Sequence, residues 1–236
     1  MNSINTDNHN EIKNALSDVR KAFRLLWAYN KRIFNIVEHI RNDFGFEHYY
    51  MGKLLGTTNS RSDFCEYWAW EALPLVTIGW TALRFNRGED GSVLYRNGDH
   101  NNNPLAGEML LHILLISDSA FFNAINGPNK NEPNAVNFPC PDQCQSKLVL
   151  SVYVNDVDRV ESMNWFDKIF TPCFNASKWN DVSACEQVVK GIRRYSTVLM
   201  LEDVLDEETL DKRIRLCKQE IQTRLGVNLN KVGEKL

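Results

Sequence analysis

Residues 108–122 read EMLLHILLISDSAFF, and the interpretation of this stretch decides the fold. Leu110, Leu114 and Ile116 alternate with Leu111, Ile113 and Leu115, so an extended chain here is apolar on both faces. A strand of that kind is covered on both sides and sits in the middle of a sheet. Outwards from it, 147–154 (KLVLSVYV) is a second strand, with Leu148, Leu150, Val152 and Val154 on one face. Residues 73–85 (LPLVTIGWTALRF) form a third, closed by turn signals at Asn86-Arg87-Gly88 and Asp90-Gly91. A short return strand over 92–96 and another strand over 196–201 (STVLML) complete the set. The Asn- and Pro-rich run 123–146 reads as a long loop, a length that usually marks function or mobility.

The helices surround this sheet. Neither Pro nor Gly interrupts residues 7–44, where Ile12, Leu16, Val19, Phe23, Leu26, Asn30, Ile33, Val37, Ile40 and Phe44 alternate by four and three. That is the apolar seam of a heptad repeat with one polar member, Asn30. Leu25, Trp27, Phe34 and Ile36 widen the stripe towards the broad face of a helix covering a core. Further helices are expected over 158–170, ended by Pro172, and over 183–194, opened by a capping box of Ser183 and Glu186. The last helix opens at Asp206-Glu207-Glu208, buries Leu210, Ile214, Cys217, Ile221 and Leu225, and closes at Gly226.

The expected fold is therefore α+β: a long N-terminal helix packed on a mixed, mostly antiparallel sheet of four to five strands, with C-terminal helices. A single domain spans 1–236, with the helix over 7–44, the main sheet with its loop over 72–154, and helices plus one strand over 157–226.

Composition removes several function classes. With 236 residues, 43% hydrophobic and 24% charged, the chain is neither disordered nor a disulfide framework. The formal charge is −3, and its basic residues are dispersed around an acidic middle, which disfavours nucleic acid as a partner. No run reaches the roughly 18 apolar residues of a spanning helix, so no membrane role is expected. The polar, Asn-rich start lacks a secretory signal, which points to the cytoplasm. There the six cysteines are expected to be mostly thiols. The Cys140-x3-Cys144 pair could be half a zinc site or a labile disulfide, with ordinary thiols as the default. His112 on the central strand reads as a satisfied core histidine, or else as a base or ligand beside Glu108 or Asp118.

In the aromatic run 44–80 the closest charged neighbours of Trp68 and Trp70 are acidic, unlike the interleaved cations of a base-stacking platform. Trp68 and Trp70, beside Glu66 and Glu71, read as core or as interface anchors. The leading expectation for function is a non-catalytic regulatory or accessory protein that works through protein contacts and needs no cofactor. Its partner is another protein or a second copy bound through the first helix, with Asn30, Trp27, Phe34, Trp68 and Trp70 at the contact.

One alternative comes from the two strands flanking the long loop. If 108–122 and 147–154 are antiparallel neighbours, Asp118 approaches Gln145 and Lys147. An acid beside Gln-x-Lys resembles the PD-(D/E)XK nuclease superfamily, as does the order helix, three strands, helix, strand. The resemblance implies a metal-dependent nuclease in which Asp118 and Gln145 hold Mg²⁺ or Mn²⁺, Lys147 stabilises the attacked phosphate and Glu38 completes the site. In this chain Gln145-Ser146-Lys147 precedes the apolar run of its strand, whereas the superfamily's motif follows it. A second alternative is a small-ligand sensor with 123–146 as a lid over His112 and the tryptophans. No P-loop, dinucleotide fingerprint, nucleophile elbow or H-E-x-x-H motif occurs.

Overall fold

The computed structural model describes residues 3–52, 77–88, 90, 92, 104–126, 138–158, 163–176, 189–204 and 206–229. By compactness the chain divides into two units, Met1–His39 and Ile40–Leu236. Helix α1 (Ser3–Asp43) runs without a break from the first unit into the start of the second. Its 41 residues span about 60 Å at roughly 1.5 Å per residue, and Asn30 does not interrupt it. The helix stops at Gly45, whose φ of 72° only glycine adopts freely. There the Phe46 N–H reaches back to the Arg41 carbonyl at 3.1 Å, satisfying an otherwise orphaned acceptor.

The second unit is built on a five-stranded sheet in the order β1 (His48–Gly52), β2 (Thr77–Arg84), β3 (Met109–Ile116), β4 (Lys147–Asn155) and β5 (Ile192–Met200). Each strand pairs antiparallel with the next, so the sheet is a meander with β3 at its centre. Every residue of β3 is buried, as its two apolar faces require. One face carries Leu83, Leu110, Tyr153 and Ile192, and these pack with Trp165, Ile169, Phe170 and Cys173. Those four come from a π-helical stretch, Trp165–Phe170, that continues as α3 (Thr171–Ala176). Farther along the same face, Phe122 of α2 (Ser119–Asn126) packs on Leu114, Ile116 and Val149.

The opposite face carries Tyr195 and Thr197, which donate hydrogen bonds to Glu220 of α4 (Glu207–Leu225). Helix α4 buries Leu210, Ile214, Cys217, Ile221 and Leu225, the stripe its sequence announces. The Asp206 side chain caps it by accepting from the Thr209 N–H, and Gly226 ends it with φ of 63°. Lys218 on the same helix donates to the Asp43 carbonyl at 2.8 Å and lies 3.2 Å from its carboxylate. At the end of the sheet where β3 begins, buried Glu108 accepts from the Leu105 and Asn86 N–H groups. Buried Asn155 donates to the carbonyls of Pro104, Leu105 and Val157, so the turn into β3 has its backbone groups satisfied from inside.

Several boundaries differ from the sequence reading. The central strand ends at Ile116, and residues 119–126 are helical, so the first four residues of the expected 123–146 loop belong to α2. Pro141–Gln143 of that loop form a 3₁₀ turn. The helix expected over 158–170 begins only at Trp165, and Pro172 lies inside helix rather than ending it. It sits in the first turn of α3, where a missing N–H costs little. Residues 192–194, read as the end of a helix, open β5 after Gly191 at φ 76°. Much of the expected 183–194 helix, residues 53–76 with Trp68 and Trp70, and all but Ser92 of the 92–96 strand lie outside the described residues.

Candidate functional site

The antiparallel pairing of β3 with β4 places Ile116 opposite Lys147, so Asp118 and Gln145 are near one another at the same end of the sheet. Their contacts are structural. The Asp118 carboxylate accepts from the Ala120 N–H at 2.7 Å and its carbonyl from the Phe122 N–H at 3.1 Å, which makes it the cap of α2. Gln145 takes part through its backbone, accepting from the Ser119 N–H and donating to Ser119 Oγ, both at 3.1 Å. Ser146 Oγ donates to the Ser117 carbonyl at 2.6 Å. Lys147 is half-buried at the start of β4, and among the described residues no ion pair joins it to Asp118. Glu38 is an exposed residue of α1 in the first unit.

Among the described residues no group of three His, Cys, Asp or Glu side chains is placed to hold a metal ion. The Asp118 carboxylate, which the nuclease resemblance nominates as a metal ligand, is engaged here as a helix cap.

Cys144 lies against the same cap. Partial burial, and then the negative charge and hydrogen bonding of Asp118, hold its thiol above the ordinary cysteine range. A protonated thiol is a poor nucleophile and a poor zinc ligand. Cys140 is exposed, and none of Cys140, Cys144, Cys173 and Cys217 is in a disulfide.

His112 lies in a polar row across the sheet. Thr81, His112, Ser151 and Ser196 stand directly opposite one another on β2 to β5, and the two serine hydroxyls share a 2.7 Å hydrogen bond. The His112 ring is wholly buried, with its centroid 4.8 Å from that of Phe170. Burial, and then the nearby positive charge of Arg194, push its pKa down to about 3. The imidazole is therefore neutral near pH 7, and too weak a base there to exchange protons with a substrate.

Most of the exposed large apolar side chains among the described residues are on α1. From residue 10 to 28 every side chain except half-buried Ser17 is exposed. Along the heptad seam Ile12, Leu16, Val19, Phe23 and Leu26 all face solvent, with Phe23 at 63% exposure. Beside the seam Trp27 is 66% exposed, with the Lys31 ammonium 5.5 Å from its ring, and Phe34 is exposed too. The later seam members Ile33, Val37, Ile40 and Phe44 are all buried. Asn30 marks the change: it is half-buried, and its shielded Oδ1 has no hydrogen-bond partner among the described residues. Sequence periodicity identifies the stripe but cannot say which half is covered, since both halves have the same spacing.

These features define an α+β protein, an antiparallel meander with helices on both faces, preceded by a long helix whose first half carries an uncovered apolar stripe. The chain belongs to the PM0109 family, whose profile matches residues 9–226. It is 26% identical over 208 residues to a protein of Pasteurella multocida (strain Pm70) called "Uncharacterized protein PM0109". That match covers 86% of this chain and 90% of the relative. No solved structure matches the chain. No described helix is long and apolar enough to cross a membrane.

Proposed function

We propose that this is a non-catalytic protein of the cytoplasm that acts through protein contacts, as a regulatory or accessory subunit, and that the exposed stripe of α1 is its contact surface. The observation that carries this reading is the exposure of five consecutive seam residues on a helix whose later seam residues are buried. An isolated soluble chain seldom leaves a contiguous apolar strip of that kind in water, and such strips usually mark interaction sites. The helix-in-groove mode of recognition uses anchors at this spacing. Burial and charge at His112, Asp118 and Cys144 support structural roles for these groups, which weakens both the nuclease and the sensor alternatives.

The test is a photoreactive amino acid at Phe23, with Asn14 on the opposite side of the helix as control, irradiated in living cells. A protein adduct formed from position 23 and absent from position 14 is expected. No adduct from either, or equal adducts from both, would remove the reading.

A further inference from the structure

We propose that the stripe of α1 is covered by the same segment of further copies of this chain, in a bundle of more than two helices. This rests on the protein-contact reading and names the partner. In heptad letters, Leu16 and Phe23 occupy position a, and Ile12, Val19 and Leu26 occupy position d. Two of the three d residues are β-branched and neither a residue is, the reverse of the pattern that favours a parallel pair. Leu at a with Ile at d shifts the preference to three or four strands.

The g positions carry Ala15 and Ala22, so the apolar face covers a, d and g, the broad face of a bundle helix rather than a narrow two-helix seam. At the e positions Lys13 and Arg20 are charged and flank that face, while Trp27 is apolar and widens it on that side. A second copy also matches the chemistry. Every position of the face is apolar, so like meets like without leaving a charge unpaired, and small alanines at g let neighbouring helices approach closely. Area points the same way. The exposed segment is a strip about 28 Å long and about 10 Å wide. One neighbour along it buries well under the roughly 800 Å² per partner of a standard stable interface. Helices that each contact two neighbours double the burial.

The experiment is sedimentation equilibrium of the full chain from low to high micromolar concentration, beside a Leu16→Glu/Phe23→Glu double variant. Both positions are exposed, so the sheet should stay folded, and circular dichroism and urea unfolding check that it does. The expected result is a wild-type mass approaching three or four times 27.3 kDa and a variant at one, a three- to fourfold fall. A wild type that is monomeric or dimeric throughout overturns the proposal, and so does an oligomer that survives in the variant. A monomer that floats with vesicles of phosphatidylglycerol assigns the stripe to a bilayer and equally overturns it. A monomeric chain that still crosslinks from position 23 to a different protein overturns self-association but leaves the protein-contact reading standing. A chain with no adduct at all loses both.

Discussion

The buried imidazole of His112 makes stability depend on pH in a calculable way. In the folded chain its pKa is pushed down to about 3, so the ring stays neutral across the mildly acidic range, while the unfolded chain takes up a proton below the ordinary value of 6.5. More protons are bound in the unfolded state between those values, so stability is fully present above pH 6.5 and lost as pH falls towards 3. By pH 5 the gap is roughly 1.5 pKa units, which at 1.36 kcal/mol per unit is about 2 kcal/mol. Urea unfolding of the wild type and of His112→Gln, from pH 7.5 to pH 5, isolates this contribution because all other groups titrate in both proteins. The wild type should lose about 2 kcal/mol more than the variant over that range. A difference between the two that is flat with pH would show that the ring is neither buried nor held neutral as described.

Further expectations concern the core and the helix cap. Ile221→Ala on α4 removes a wholly buried side chain and should cost about 2–5 kcal/mol, whereas Leu25→Ala on α1, at 73% exposure, should stay within about 0.5 kcal/mol in urea unfolding of dilute protein. Asp118→Ala deletes the cap of α2 and should cost about 1 kcal/mol. The same change removes the negative charge that helps hold the Cys144 thiol up, so Cys144 should be alkylated faster by iodoacetamide at pH 8, read by mass spectrometry.

Much of the architecture is legible in the residues because it depends on periodicity. The double-sided apolar run of β3, the stripe of α4 from Leu210 to Leu225 and its glycine stop, and the uninterrupted α1 each leave a regular pattern that one packing solution satisfies. The errors fall where a short signal is outweighed by a long one. Residues 119–122 continue an apolar run and read as strand, with 123–126 read as loop, yet Ser117-Asp118-Ser119 is a cap sequence, and the Asp118 carboxylate takes the Ala120 N–H. The π-helical turn at 165–170 has no linear signature, so nothing predicts that Pro172 falls at the beginning of an α segment.

The alignment of Asp118 with Gln145 across two strands is also readable from pattern, since pairing register follows from strand ends. What those groups do is not readable. Whether a carboxylate holds a cation or a backbone N–H depends on distances of a few tenths of an ångström that spacing does not encode. For the same reason the stripe of α1 gives the same sequence pattern where it is buried, at Ile33 and Val37, and where it is exposed, at Leu16 and Phe23.

Amide exchange in α1 bears on the interaction surface most directly. Residues 10–28 are exposed on almost all sides, and in proteins most helical stability comes from packing of an apolar face. If copies of the chain cover its stripe, its amides should be protected at high protein concentration and become fast in the Leu16→Glu/Phe23→Glu variant, while those of β3 stay slow in both. Exchange over 10–28 that is fast in the wild type at every concentration, and unchanged by the two charges, would contradict the account.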